Sequence, residues 1–322
     1  MCDTDIFGLP PVLSELLKRQ YGDEVTEKIE SGCLQKRTVS LRINPLKDGN
    51  TSDELLQAGI NLAGLEWYGD AYLLPSCSEA DVEKLPAYSE GRVYLQSLSS
   101  MIPPLVLDPR PDTDILDMAA APGGKTTEIA ALTSNKCRIT ACERDPIRAQ
   151  RLKYNLEKQG VSCAYVMVTD SRTLSDAFSF DKILLDAPCS GSGTLNLGMP
   201  NTHFTRQLID KCIRAQKALI LKALSLLKVG GELIYSTCSI LEEENEEIVR
   251  YALDGSDAEI VPVSGFDACG VPLLQTSLAG TLCICPDINY EGFFVAKIKK
   301  TGRRVKTPQP SAKQKPRRRK RQ

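Results

Sequence analysis

A doubly wound α/β domain with a largely parallel sheet is the fold this sequence predicts, and three observations predict it. From about residue 93 onward, strand-like apolar runs alternate with helical stretches, as in chains that build a parallel sheet with helices on both faces. The stretch D-I-L-D-M-A-A-A-P-G-G-K-T-T-E-I-A-A-L at 114–132 reads as strand, tight loop and helix, the unit that such sheets use to hold a nucleotide. The strand-like runs end at or near Asp117, Glu143, Asp170, Asp186 and Cys238, so chemically active side chains collect where ligands of these sheets bind.

Ahead of that domain, residues 10–31 carry Val12, Leu13, Leu16 and Leu17 on one helical face, break at Gly22, resume with Val25 and Ile29 and stop at Gly32. The run T-V-S-L-R-I-N (38–44) alternates Val39, Leu41 and Ile43 with Ser40, Arg42 and Asn44, which predicts a half-buried strand with a polar face. Thr51 and Glu54 form a capping box for a short helix through Leu56. A strand pair follows around Gly69-Asp70 within 65–74, then a small helix over 78–85. Residues 1–92 are thus expected to form a small α+β N-terminal domain.

Residues 93–300 are expected to form the large domain. V-Y-L-Q leads into a short helix over 97–107 that Pro103-Pro104 should interrupt, and then into the central loop. A strand at 137–143 precedes a helix at 146–158 with proline at its first position. Strands at 164–168, 182–185 and 232–235, a long helix over 208–227, a helix on the acidic run 242–247, and a closing hairpin within 281–298 complete the alternation.

A chain of 322 residues exceeds the usual single-domain range, which suits a large domain with a smaller one. It has no apolar stretch of about 18 residues or more, and its first ten residues carry two aspartates and no base, so neither a membrane span nor a secretory signal is expected. The expectation is an intracellular protein whose twelve cysteines are free thiols. A zinc site would want paired C-x-x-C spacing or histidines; with only Cys283-x-Cys285 and one histidine, His203, no metal site is expected.

The net charge of −1 hides an asymmetry. Ten of the 40 basic residues lie within 301–322, which holds no acid, so residues 1–300 carry 30 basic against 41 acidic residues, a net of −11. The segment 301–322, rich in proline and poor in apolar residues, is expected to be a disordered basic tail. A phosphate-attracting arm and a solubilising or address segment are both open readings.

The central loop misses two familiar patterns. Ala119 stands where G-x-x-x-x-G-K-[ST] needs its first glycine, and G-x-G-x-x-G is absent. A turn that merely collects small residues is the bland alternative. Small side chains at Ala119, Ala120, Ala121, Gly123 and Gly124 would nonetheless let backbone approach a ligand, and the following helix would offer its free N–H groups to a negative group. Glu143 ends the next strand 26 residues after Asp117, where a carboxylate can accept from both hydroxyls of a ribose. Two further strands end in D-A-P-C-S-G-S-G-T (186–194) and Y-S-T-C-S (235–239), placing Cys189 and Cys238 at neighbouring strand tips, where packing does not explain them. A thiolate is the nucleophile that adds to an electron-poor double bond.

These motifs, with G-F-F-V-A-K-I at 292–298, closely resemble the RNA cytosine-C5 methyltransferases of the bacterial 16S rRNA methylase and eukaryotic Nop2/Sun type, over roughly residues 38–300. The resemblance implies a Rossmann-like methyltransferase sheet, S-adenosylmethionine as cofactor, and RNA as partner, ribosomal RNA ahead of transfer RNA. It implies that Asp117, Ala119, Ala120, Ala121, Pro122, Gly123, Gly124 and Lys125 shape the methionine pocket. Glu143 would hold the ribose, Asp170 would meet the adenine amino group, and Asp186 would lie between cofactor and target base. Cys238 would be the nucleophile and Cys189 would assist product release. Many family members carry cysteine where this chain has Ala119. With only the tail after Lys300, target choice is expected to rest on loops and on the N-terminal domain, with Arg42 and Asn44 as candidates. The expected state is a monomer in the cytoplasm, or in the nucleus or nucleolus of a eukaryotic source. A catalytically idle RNA-binding assembly factor, and a nucleotide hydrolase built on G-G-K-T, are the competing functions.

Overall fold

The structure, a computed structural model, describes residues 8–47, 49–197 and 204–307. Two helices open the chain, α1 (Pro11–Tyr21) and α2 (Asp23–Leu34), separated at Gly22, whose φ of 82° suits glycine. Helix α2 runs past Gly32 to Leu34, because Gly32 is there for a close approach: a Cβ would lie 2.0 Å from the Pro286 carbonyl oxygen.

A small antiparallel sheet follows. It contains β1 (Val39–Ile43), then, after helix α3 (Thr51–Gln57), β2 (Ala63–Leu65) and β3 (Tyr68–Leu74), and, after the short helices α4 (Glu79–Glu83) and α5 (Pro86–Ser89), β4 (Val93–Leu95), in the order β2-β3-β1-β4. One face packs Leu41, Leu55, Leu74, Val82 and Val93 into a core of its own. Several sequence expectations need correction here. The expected capping box is absent at α3: Thr51 lies inside the helix, and Glu54 pairs with Arg92 instead. Gly69-Asp70 lie within β3, the strands turning at Glu66-Trp67. The strand Val93–Leu95 pairs with β1, so it completes the small sheet rather than opening the large one. Strand β1 has no solvent face, since Ser40, Arg42 and Asn44 are all buried against the large domain.

Helix α6 (Leu98–Leu107) carries Pro103 and Pro104 without interruption. Each proline forfeits one intrahelical bond. The carbonyl of Ser100, which Pro104 cannot serve, accepts from the Gln96 side chain instead.

The large sheet begins with β5 (Asp114–Asp117), followed by α7 (Gly124–Leu132), β6 (Arg138–Glu143), α8 (Pro146–Lys158), β7 (Ala164–Val168), a 3-10 turn (Ser171–Thr173), β8 (Phe180–Asp186), α9 (Arg206–Leu226) and β9 (Leu227–Thr237). These five strands are parallel in the order β7-β6-β5-β8-β9. An acidic 3-10 turn (Glu242–Glu244), α10 (Glu246–Leu253) and an antiparallel margin follow: β10 (Ala258–Val261), β11 (Leu273–Leu274), β12 (Leu282–Ile284) and β13 (Phe293–Lys300), the last paired with β9. The acidic run expected as one helix is thus split at Asn245. One face of the sheet packs against α1, α2, α9 and α10, the other against α6, α7 and α8. This is the doubly wound α/β architecture expected.

Residues 301–307 return to the body, with Val305 against the core, Arg304 paired with Asp257 and Lys306 with Asp254. The expected tail therefore does not begin at 301, and residues 308–322 lie outside the described residues. Among the described residues no helix is long and apolar enough to cross a membrane, and no group of His, Cys, Asp and Glu is arranged to hold a metal ion.

Candidate active site

The loop between β5 and α7 is fixed from below. The amide of Met118 donates to Leu184 O and that of Ala120 to Cys142 O, tying the loop to the strands on both sides. Asp117, fully buried, accepts from Thr126 Oγ1 at 2.7 Å; burial pushes its carboxyl up to about 6, against that hydrogen bond. Gly123 adopts φ 112° as the residue preceding α7, which leaves the first amides of the helix free to meet a ligand. Asn155 and Arg148 of α8 hold the Pro122 and Ala121 carbonyls.

The small sheet reaches the same loop through Arg42. Its guanidinium donates to Gly124 O, Thr127 Oγ1 and Gln96 Oε1, and Gln96 in turn donates to Glu128 at 2.9 Å. Arg42 is thus sealed inside the molecule, and Asn44 is spent on the Gly91 and Gln159 carbonyls. Neither can contact a partner as the sequence suggested. The alternating pattern gave no sign that the second face of the strand would be covered as well.

Two cavities flank the loop. One, of about 220 Å³, is lined by Met118, Ala119, Ala121, Glu143, Arg144, Arg148, Thr169, Asp170, Asp186, Cys189 and Cys238 among others. The second, also about 220 Å³, is lined by Tyr94, Gln96, Ser97, Ser100, Asp117, Ala119 to Pro122, Gly124, Lys125 and Asp186. The sequence-selected residues are therefore brought together, except that Gly123 shapes the turn and lines neither cavity. A larger cavity of about 380 Å³ lies between α1–α2 and α10, but no thiol faces it, so it is not the candidate.

The acceptors in the first cavity differ. Glu143 is buried and takes the amide of Asp145 on one oxygen, while its other oxygen lies 3.5 Å from Arg148 and keeps room for a further donor. Asp170 caps the 3-10 turn and is clasped by Arg172, whose hydrogen bond holds its carboxyl below the usual range despite partial burial.

At the shared wall Lys125 Nζ lies 2.7 Å from Asp186 Oδ2 and 2.9 Å from Ser100 Oγ, and 5.3 Å from the centre of the Phe293 ring. Burial disfavours its charge, but Asp186 keeps the ammonium above the ordinary lysine value. Ser236 donates to the other Asp186 oxygen.

Cys189 and Cys238 stand just beyond the ends of the neighbouring parallel strands β8 and β9, with their sulfurs 3.1 Å apart. The two thiols are inequivalent. A hydrogen bond from Cys189 holds Cys238 below its ordinary value; burial and Asp186 oppose this, and Lys125 assists it. Cys189 is held well above its ordinary value, first because its proton serves Cys238, then by burial and by the charges of Cys238 and Glu244. Of the two sulfurs Cys238 is therefore the one favoured to ionise, with the shared proton left on Cys189.

The loops that carry the sulfurs are tightly fixed. Gly193 N donates to Cys238 O, and Gly292 N to Gly193 O; a Cβ on Gly193 would lie 2.0 Å from the Gly292 carbonyl oxygen. Glu244, which the sequence shows only as part of an acidic helical run, is fully buried and accepts from both cysteine loops. Only a motif-level reading of L-E-E-E-N-E could have singled it out.

The family model described as 16S rRNA methyltransferase RsmB/F matches residues 104–299. A mouse protein named 28S rRNA (cytosine-C(5))-methyltransferase is 34% identical over 316 residues, 94% of this chain, and this chain spans only 40% of its length. A tRNA (cytosine(49)-C(5))-methyltransferase of Pyrococcus abyssi is 39% identical over 277 residues, covering 81% of this chain and 88% of the relative. Among solved structures, NSun6 from Pyrococcus horikoshii with SFG superposes with a TM-score of 0.82 at 25% identity, over 91% of this chain and 98% of that one.

Proposed function

The chain belongs to the RsmB/F family of 16S rRNA methyltransferases, and from that premise we propose that it is an S-adenosylmethionine-dependent RNA methyltransferase that makes 5-methylcytosine through a covalent bond from Cys238 to the base. The observation that carries this reading is the pair of inequivalent thiols on the wall of the cavity that also holds Glu143 and Asp170.

The residues present fit the cofactor. Glu143 has a free acceptor site for ribose hydroxyls, Asp170, oriented by Arg172, lines the same cavity where an adenine amino group would meet it, and the amides at the start of α7 suit a carboxylate. Asp117, Ala119, Ala120, Ala121, Pro122, Gly123, Gly124 and Lys125 would shape the pocket for the methionine portion, and the relative solved with SFG, an S-adenosylmethionine analogue, supports that choice. Bound there, S-adenosylmethionine supplies an electrophilic methyl group.

Cytosine C5 is a poor nucleophile on its own. Addition of the Cys238 thiolate to C6 shifts the ring electrons toward C5, which can then take the methyl group. Loss of the C5 proton to a base expels the thiolate from C6 and restores the aromatic ring. Lys125 and Asp186, beside Cys238, would position the base and balance charge during addition. Cys189, holding a proton next to the C6-bonded sulfur, assists the elimination that releases product. Ribosomal RNA is taken as the first substrate class and transfer RNA as the second; relatives named for each match this chain, and the family model is described for 16S rRNA.

Incubation with methyl-labelled S-adenosylmethionine and purified ribosomal or transfer RNA tests the reading. Label recovered as 5-methylcytosine is expected. RNA binding without transfer would favour an idle assembly factor, and ATP binding without S-adenosylmethionine binding would favour a nucleotide hydrolase.

A further inference from the structure

Glu244 belongs to neither cavity and touches neither sulfur, yet it is fully buried and sits where the two cysteine loops meet. Its Oε1 accepts the amide of Ser190 at 2.8 Å and the Gln216 side chain at 3.3 Å; its Oε2 accepts the hydroxyls of Ser190 at 2.5 Å and Ser239 at 2.7 Å. Ser190 immediately follows Cys189, and Ser239 immediately follows Cys238. One carboxylate therefore grips the residue after each thiol.

Ser192 Oγ accepts the amide of Ile240, Ser239 Oγ accepts that of Leu241, and the two hydroxyls lie 2.8 Å apart, which extends the network outward from the carboxyl. Every group that meets the carboxyl can donate to it, and these hydrogen bonds oppose the burial that raises its proton affinity. Asn245 reinforces the second loop, donating to Ser239 O and accepting from Thr237.

We propose that Glu244 is the positioning residue of the thiol pair: by gripping Ser190 and Ser239 together it fixes the two sulfurs at contact, with Cys189 as donor and Cys238 as acceptor. Without the grip the two loops stay joined further along, through the Gly193 amide on Cys238 O and through Ser192, but Ser190 loses its anchor next to Cys189, and the hydrogen bond that favours ionisation of Cys238 weakens. The other titratable groups around the pair are Asp186, Lys125 and Glu291 near Cys238, and Tyr235 and Cys212 near Glu244. None of them bridges the two loops.

The role rests on the thiol-addition reading above, but its test does not need RNA. The pH dependence of Cys238 alkylation by iodoacetamide, read on the Cys238 peptide by mass spectrometry, reports the thiolate directly. In the full chain, Glu244→Gln should move the inflection upward and slow alkylation at pH 7 by about tenfold. A mere loss of negative charge would move it the other way. Cys189→Ala should raise the inflection by itself, and adding Glu244→Gln to it should change nothing more, because the donor is already gone. Ser190→Ala, which cuts one arm of the grip and spares the carboxylate, should move the inflection in the same direction by less, and it serves alone if Glu244→Gln does not fold. An unchanged profile in the folded single variants, or a Glu244→Gln effect as large without Cys189 as with it, overturns the proposal. Absence of methyl transfer by the wild-type chain would defeat the thiol-addition reading and leave this profile intact.

Discussion

Lys125 Nζ lies 2.7 Å from Asp186 Oδ2, joining the first turn of α7 to the end of β8 across the site. Both groups are mostly removed from water, so deleting one charge strands the other. Lys125→Met is expected to cost about 2 kcal/mol of stability, less than a fully buried pair because Asp186 keeps 30% exposure. Adding Asp186→Asn should recover most of that loss. Denaturant unfolding of the two single variants and the double variant checks the cycle, and simple additivity would show that the pair is not coupled.

How much of this site could be read in the sequence depends on whether a residue works alone or through a partner. Cys189, Cys238, Asp186 and Glu143 were legible because a strand that ends in a reactive side chain declares its place in a doubly wound sheet. Arg42 and Asn44 were misplaced because alternation says only that two faces differ; it does not say that the first turn of α7 and the residue after α8 will cover the polar one. Glu244 was hidden because charge density in a short run reads as solvated surface. The interruption between the 3-10 turn and α10 at Asn245 accompanies the inward turn of Glu244, whose partners Ser190 and Ser239 come from distant loops that a local sequence window cannot show.

The buried side chain of Glu128 gives a dependence on pH with a definite sign. Burial raises its carboxyl from an ordinary 4.5 to about 8, with Arg42 and Gln96 opposing. The folded state thus binds a proton that the unfolded chain releases above about 4.5. The contribution to stability is complete below that pH and is lost as pH rises through about 8. Glu128→Gln should match wild type in acid and become the more stable protein by about 1 to 3 kcal/mol above pH 8. Asp117, raised to about 6, adds a slope of the same sign in a lower window that this variant keeps. Unfolding free energies across pH for both chains decide the matter; parallel curves would refute it.

The basic residues after Thr307 set the third expectation. Lys313, Lys315, Arg317, Arg318, Arg319, Lys320 and Arg321 are joined in sequence to a body that is strongly acidic in sum. If they meet RNA phosphate, removing residues 308–322 should weaken RNA binding at low salt and flatten the plot of log affinity against log salt, since fewer counterions are released. A solubilising segment would leave that slope unchanged. Titrations of both chains at several salt concentrations distinguish the two.

The sharpest expectation comes from giving the two sulfurs different work. Ionisation is favoured at Cys238 and disfavoured at Cys189, so Cys238 is expected to begin the reaction. Cys238→Ala should neither transfer methyl groups nor bond to RNA. Cys189→Ala should still attack C6, since its loss removes a hydrogen bond and not the nucleophile, although less of Cys238 will be ionised. It should then release product badly and accumulate a protein–RNA complex that survives denaturation and migrates slowly on a denaturing gel. The double variant should lose that band. Trapping by Cys238→Ala with none by Cys189→Ala would reverse the roles, and full activity in both single variants would eliminate the thiol mechanism altogether.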